Sequence, residues 1–418
     1  MKIQRTLPPT AAPLTVRDLI HGLAGIVVGG GQIKQLEAEI RDYFGVRHVF
    51  CLSSGKAALT LILVALKHLS SRQQVLIPAY TCFSVPSAIV KAGFDVLLCD
   101  IDPLSLDFNF DDLEQTVDEK VLCVVPTHLL GLPSDVDRVK TICKGKGVFV
   151  IEDVAQAMGV KHNGRLLGSQ GDVGFLSLGR GKNITCGSGG IILTDSDAIA
   201  QAIQAEYAKI KKVPLAEVMM NWCQALAMGI LIDPRLYWLP AGLPFLRLGE
   251  TKFYRDFPIH RMDGVRAGLL SGWQTRLDDC NRNRCIQCQG FLCRHSSNGH
   301  VIKSEVCQKP VYLRLPVLLR SKQAKERVCA LSKQHGLGIS PLYPTTIQDI
   351  PELRGRLLDK ELPGATVVAD RLVTVPVHHL VGYRDRENIC DALESLNDFP
   401  SDDDLRLISQ TSNRKCYQ

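Results

Sequence analysis

The chain has 418 residues, 45% of them hydrophobic and 22% charged, a globular balance that excludes a disordered chain and suffices for a sizeable core. Its net charge of +6 is weak and dispersed, which makes no case for nucleic acid and suits anionic small substrates at least as well. No run reaches eighteen uninterrupted apolar residues, so a membrane-spanning helix is not expected.

The first twenty residues, "MKIQRTLPPTAAPLTVRDLI", hold no apolar stretch of signal-peptide length before their prolines. The 15 cysteines are therefore expected as reduced thiols of a cytoplasmic protein. From residue 48 to 195, short apolar runs alternate with amphipathic stretches. "HVFCLSSG" reads as a strand ending in small residues, "KAALTLILVALKHL" as a helix and "QVLIPAY" as a strand. "DVLLCDID" and "VLCVVPTHLLG" are further strands, and "DVDRVKTICKGKG" is a helix stopped by glycine. "VFVIEDVAQAMG" reads as a strand passing into a helix, and "VGFLSLG" and "GGIILT" as two more strands. Strands spaced by helices predict an α/β fold with a mostly parallel central sheet, whose ligands bind beyond the carboxyl ends of the strands. The small and polar residues collect there: Ser53, Ser54, Gly55, Thr81, His128, Asp153 and the loop 177–190.

Residues 200–260 read as helical, then proline-rich and aromatic. Within them "VMMNWCQALAMGILI" is either a buried helix or a patch that dips into a membrane interface. "GVRAGLLSGWQTRLDDCNRNRCIQCQGFLC" reads as one long helix, and 310–398 as strand pieces and helices of a smaller α+β domain. The expected division is a large domain over 1–250, with an N-terminal arm at 1–25 and an apolar insertion at 205–250. A small domain over 251–400 and a polar tail over 401–418 follow.

Several motifs fail on inspection. "LSLGRGKN" and "FCLSSGKA" resemble a Walker A loop only in their Gly-Lys step, because the first glycine and the Ser/Thr after the lysine are missing. "GGG" at 29–31 gives no G-x-G-x-x-G, so a dinucleotide fold has little support. Cys280, Cys285, Cys288 and Cys293 would project at about 0°, 140°, 80° and 220° around one helix, which does not converge on a metal ion.

A different set of residues is coherent. Asp153 ends a strand, Gln156 follows it, Ser177 ends another strand, and Lys182 lies in the loop beyond. A lysine amine, a carboxylate, an amide and a hydroxyl at one sheet edge suit pyridoxal phosphate (PLP). That cofactor needs a lysine for its aldehyde, an anion for its ring nitrogen, and a helix N-terminus for its phosphate. Ser53, Ser54 and Gly55 open a helix in the position for the last task. Each part alone has a plainer reading: a strand-end aspartate can cap a turn, and a glycine-rich loop is often only a loop.

Longer blocks then resemble the DegT-type nucleotide-sugar aminotransferases, PLP enzymes of the aspartate-aminotransferase fold (fold type I). "GGGQIKQLEAEIRDYFGVRHVFCLSSGKAAL", "IPAYTCFSVPSAIVKAGFDVLLCDIDPLSLDFN" and the run from "VVPTHLLG" to "GGIILT" carry the likeness, with "HRMDGVRAGLL" and "LVTVPVHHLVGYRDRENICDAL" beyond. The resemblance implies Lys182 as the cofactor's lysine, Asp153 as the ring-nitrogen partner and Gln156 on the ring-hydroxyl side. It implies Ser177, Ser54, Gly55 and Lys56 on the phosphate, and Cys82 where the family stacks an aromatic ring. It further implies transfer of an amine, with glutamate as donor, to a keto sugar on a nucleotide, in a homodimer, for polysaccharide or aminosugar synthesis. Related dehydratases carry histidine in place of Lys182. Lys56, Cys82, Ile259 and Ser188 depart from the family pattern, and no histidine of "PLYPTTIQDIP" matches the one near the substrate. A dehydratase or other lyase of the same fold, and a non-catalytic binding protein docked on a membrane through 218–248, are the alternatives.

Overall fold

Thr15 sets the start of the first helix. Its hydroxyl accepts from the Asp18 N–H while the Asp18 carboxylate accepts from the Thr15 N–H, a reciprocal cap. Helix α1 (Val16–Phe44) therefore begins inside the stretch expected as an arm, and ends at Gly45 in the left-handed conformation. The computed structural model describes residues 4–243, 249, 251–294, 301–304, 306–307, 310–394 and 404. The tail at 401–418 lies outside these apart from Asp404.

The large sheet has seven strands: β1 (His48–Leu52), β2 (Gln74–Pro78), β3 (Asp95–Cys99), β4 (Val121–Val124), β5 (Phe149–Asp153), β8 (Val173–Ser177) and β9 (Gly190–Thr194). A short hairpin, β6 (Lys161–His162) with β7 (Arg165–Leu166), sits between β5 and β8. The order is β1-β9-β8-β5-β4-β2-β3, and only β9 runs against its neighbours. Helices α2 (Gly55–Leu66), α3 (Ser84–Lys91), α4 (Phe110–Thr116) and α5 (Val136–Cys143) form the crossovers. The strands are apolar along both faces, as a sheet covered on both sides requires. This is the α/β fold with a mostly parallel sheet expected from the sequence.

Two helical expectations fail. No helix follows β5: the Asp153 carboxylate accepts from the Ala155 N–H at 2.9 Å, and the chain turns through Gly159 at φ +83. A side chain that bonds its own backbone two residues on competes with helix formation. The long helix expected from 264 divides into α9 (Gly264–Leu269) and α10 (Trp273–Arg294), because Gly272 adopts φ +67 between them.

Beyond β9 come α6 (Asp197–Lys209), α7 (Leu215–Leu231) and α8 (Trp238–Ala241). Helix α9 then lies against α1 at backbone contact. A Cβ on Gly264 would stand 2.1 Å from the Gly25 carbonyl oxygen and 2.4 Å from Gly29 Cα. A second, two-stranded sheet of β10 (Leu315–Leu318) and β11 (Leu372–Val375) carries α11 (Lys322–His335), α12 (Pro363–Arg371) and α13 (Tyr383–Glu394).

Candidate active site

Four strand ends converge. β1 runs into Ser53-Ser54-Gly55, β2 into Tyr80-Thr81-Cys82, β5 ends at Asp153, and β8 ends at Ser177 before the lysine loop. The antiparallel β9 reaches this edge because it starts at Gly190, where a Cβ would lie 2.2 Å from the Ser54 carbonyl oxygen.

Adjacent residues of β5 serve two faces. Glu152 is fully buried and accepts from the N–H groups of Gly168, Gln170 and Gly171 at 2.6–2.8 Å and from His128 Nε2 at 3.1 Å. Burial alone would raise its carboxyl, but His128 and these donors hold it below the ordinary range. His128 Nδ1 accepts from the Ser134 N–H at 3.0 Å, which leaves Nε2 as the nitrogen that donates to Glu152. Asp153, on the other face, is pushed up by burial, with the Ala155 N–H and then the charge of Lys182 pulling it back.

The anchor of the lysine loop was not legible in sequence. Arg284 of α10 is buried, and its Nη2 donates to the carbonyls of Asn183 (3.0 Å), Lys182 (3.3 Å) and Ala11 (3.4 Å). Its Nη1 donates to Asn281 Oδ1 at 2.9 Å, which also accepts from Asn183 Nδ2 at 3.2 Å. Asn183, which spoils a Walker motif, is thus a buried structural residue. Ser188 hydroxyl donates to the Ser53 carbonyl at 2.5 Å, so it braces the turn, while Arg180 is exposed.

Helix α2 presents the turn. Ser54 caps it by accepting from Ala57 N–H at 3.2 Å. Among the described residues the N–H groups of Gly55 and Lys56 take no protein acceptor, which leaves a donor pair at the start of a 12-residue helix. Gly55 faces Ser177, since a Cβ there would stand 2.8 Å from Ser177 Cβ and 3.1 Å from its hydroxyl. The cradle, the lysine and the facing carboxylate together fit a phosphorylated aldehyde cofactor such as PLP.

Two departures from the expected pattern resolve differently. The Lys56 ammonium lies over the rings of Phe257 (4.4 Å) and Tyr254 (4.7 Å), neither on the turn nor in open solvent, and burial lowers its pKa. Cys82 is half-buried beside it. Phe83 is packed into the core and gives no ring to the site. The ring that reaches it is Tyr343, from the stretch that lacked a matching histidine. Its hydroxyl accepts from Gln156 Nε2 at 2.7 Å, its N–H donates to the Tyr80 hydroxyl at 3.1 Å, and the two rings lie 5.3 Å apart. Gln156 is therefore buried with both ends engaged, its Oε1 accepting from Leu130 N–H at 3.0 Å. Ile259 packs half-buried on the large core beside a segment that bridges to Leu52. Among the described residues no group of three or more His, Cys, Asp or Glu is arranged to hold a metal.

Residues 16–213 match the sequence profile of the DegT/DnrJ/EryC1/StrS aminotransferase family. Among curated proteins, a pleiotropic regulatory protein of Geobacillus stearothermophilus is 34% identical over 173 residues, 41% of this chain and 46% of that one. The matched segment thus spans just under half the length of that relative. Helicobacter pylori PseC, an aminotransferase involved in the biosynthesis of pseudoaminic acid, superimposes with a TM-score of 0.75 at 14% identity, covering 94% of this chain and 99% of PseC. The E. coli GDP-4-keto-6-deoxy-D-mannose-3-dehydratase with bound hydrated PLP superimposes with a TM-score of 0.72 at 15% identity, over 93% and 100% of the two chains. At these identities the likeness is one of fold.

Proposed function

We propose that this chain, whose residues 16–213 match the profile of the DegT/DnrJ/EryC1/StrS aminotransferase family, is a PLP-dependent aminotransferase of that family. It takes an amino group from glutamate and gives it to a keto sugar on a nucleotide carrier, in aminosugar or surface-polysaccharide synthesis. The observation that carries this reading is that Asp153 ends β5 and the Lys182 loop follows β8 at the same carboxyl edge of the sheet, near enough for Lys182 to lower the buried Asp153 carboxyl. When bound, the cofactor supplies an electron sink for the carbon that loses or gains the amine.

The chain's own groups have separate tasks. Lys182 would hold the cofactor through its aldehyde, and its amine is the group of this chain that would carry a proton at the reacting carbon. Asp153 would pair with the ring nitrogen and favour its protonated form. Its burial makes that charge interaction strong, because water is excluded. Gly55, Lys56 N–H, Ser54 and Ser177 would hold the phosphate, and Gln156 would meet the ring's hydroxyl side. Cys82 would stand where the family stacks an aromatic ring on the cofactor, and Tyr343 is the aromatic side chain bonded to Gln156. Arg284 fixes the loop from which Lys182 projects.

A fold likeness to a dehydratase supports the alternative of sugar dehydration. Lys182 weighs against it, since a lysine at that place can transfer the amine. The test is chemical. PLP-loaded protein mixed with glutamate should release one 2-oxoglutarate per bound cofactor and leave pyridoxamine phosphate. Cofactor that stays unconverted with every amino acid tried would remove the aminotransferase reading.

We assign a second copy of the chain to the apolar face left open on α1 and α7. Val16, Ile20 and Val27 of α1 and Met219, Met220 and Ile230 of α7 are all exposed. The described residues of 218–248 include no helix long and apolar enough to cross a membrane. Residues 244–248, part of the expected membrane-contact stretch, lie outside the described set. The described cysteines are all free thiols, which supports a cytoplasmic setting.

A further inference from the structure

The residues ahead of α1 are not a free arm. Arg5 donates from Nε and Nη2 to the two carboxylate oxygens of Asp385, at 3.0 and 2.7 Å, and from Nη2 to the Leu380 carbonyl at 3.2 Å. The N–H of Leu7 donates to the Gly336 carbonyl at 2.8 Å, and His378 Nε2 donates to the Pro8 carbonyl at 2.8 Å. Leu7 is buried in the same apolar cluster as Ile339, Val375 and Val377. Gly336 and Gly338 leave room for the segment: a Cβ on the first would stand 2.4 Å from the Arg5 carbonyl oxygen, and on the second 2.9 Å from Leu7 Cβ. Residues 5–8 are thus seated on the elements that the second sheet carries, α11, α13 and the turn after β11.

A few residues further on, the same segment touches the lysine loop. Gly181, immediately before Lys182, has φ +75, and a Cβ there would stand 2.7 Å from Thr10 Cγ2. The Thr10 methyl therefore fills the space that a side chain at 181 would need. The Ala11 carbonyl accepts from Arg284 Nη2 at 3.4 Å, the nitrogen that also donates to the carbonyls of Lys182 and Asn183. Leu14 closes this end, buried in the same apolar cluster as Leu178 and Ile184 of the loop. Pro8 and Pro9 join the two ends. Each ring fixes φ at about −65° and neither residue has an N–H, so the join is stiff, and Leu7 to Thr10 spans about 10 Å when extended.

We infer that residues 5–11 form a strap that positions Lys182: it carries the place of the second-sheet elements to the lysine loop through the Thr10–Gly181 contact and the shared Arg284. A segment that served stability alone would need Leu7 and Leu14 in their clusters, but no contact with the residue before the lysine. The inference goes beyond the aminotransferase reading and rests on it only for what Lys182 holds. Arg5, Leu7 and Pro8 are positioning residues, since each acts on the loop through Thr10 and Ala11.

The test lengthens the strap without removing a contact residue. Two glycines inserted after Pro9 of the full chain add about 7 Å of slack between the two ends. The cofactor-free protein is treated with formaldehyde and borohydride, and methylation is mapped by mass spectrometry, with exposed Lys120 as the internal standard. Lys182, half-buried in wild type, should be methylated about threefold faster relative to Lys120 in the insertion variant. Arg5→Gln, which frees only the far end, should give a rise of about twofold, and Arg5→Lys should restore part of the wild-type protection. With PLP bound, the visible circular dichroism per cofactor, which reports how the ring is held, should fall by about half in the insertion variant at equal absorbance. A Lys182-to-Lys120 ratio within about 1.5-fold of wild type in both variants overturns the inference. So does an equal rise at half-buried Lys91 of α3, which would mean general loosening. Should the insertion variant fail to fold, Arg5→Gln alone decides by the same limit. If wild type takes up no PLP, the aminotransferase reading falls, while the methylation ratio of the cofactor-free chain still decides the strap.

Discussion

Gln156 and Tyr343, 187 positions apart in sequence, share a 2.7 Å hydrogen bond in a buried setting. The amide comes from the strand-end turn after Asp153, and the phenol from the loop before the second sheet's last helices. The bond ties the Lys182 side of the cleft to that loop, and it also fixes Tyr343 against Tyr80.

Removing the phenol leaves the Gln156 amide without its acceptor. Tyr343→Phe should destabilise the cofactor-free chain by about 1–3 kcal/mol, the usual cost of one buried orphan donor. Urea denaturation checks it, and a change below about 0.3 kcal/mol would mean that the bond is replaced by water.

Arg284 should act on one loop. Arg284→Met removes the donors to the carbonyls of Ala11, Lys182 and Asn183. Amide exchange at 182–187 should then accelerate by at least tenfold, equivalent to about 1.4 kcal/mol, with the sheet strands less affected. Hydrogen-exchange mass spectrometry reads both regions in one experiment.

Glycine contact between α1 and α9 makes a steric prediction. Gly264→Ala puts a methyl 2.1 Å from the Gly25 carbonyl oxygen, a backbone atom that cannot rotate away. The loss should exceed about 4 kcal/mol, in the range reserved for severe core clashes. Gly31→Ala on the open side of the same helix meets nothing within 4 Å, so it should be neutral or slightly stabilising. Thermal melts of the two variants make the comparison.

His378 gives a pH test. Its ring is buried, Nε2 donates to the Pro8 carbonyl at 2.8 Å, and burial lowers its pKa from 6.5 to about 3. The folded pKa lies below the unfolded one, so protons bind the unfolded chain first. Stability from this group is full above pH 6.5 and is lost as pH falls toward 3. Between pH 7.5 and 5 the wild type should lose about 2 kcal/mol more than His378→Gln, at about 1.4 kcal/mol per pH unit below 6.5. Comparing the two chains cancels opposing groups such as Asp107, whose carboxyl burial raises to about 6. Equal pH slopes would remove the assignment of a neutral buried ring.

Local signals explain which parts of this were legible in the sequence. Strand ends, turn residues and the lysine loop are written in stretches of ten to fifteen residues, so the sheet edge could be read from periodicity. The break at Gly272 was missed because helical pattern runs on both sides of it, and only its φ of +67 ends the turn. The turn after Asp153 was missed because a side-chain bond to Ala155 overrides apolar spacing. Arg284 reaches the Lys182 carbonyl from 102 positions away, and Tyr343 reaches Gln156 from 187. No spacing rule carries such contacts. Nothing local in "PLYPTT" marks Tyr343 as the residue that bonds Gln156.

The central claim is that Lys182, and not the neighbouring Lys56, is the lysine that holds the cofactor. PLP-loaded protein is reduced with borohydride, digested, and mapped by mass spectrometry. The account predicts the phosphopyridoxyl mass on the peptide containing Lys182, and its absence from Lys182→Ala. The label on Lys56, or an unchanged yield of labelled protein from Lys182→Ala, would contradict it.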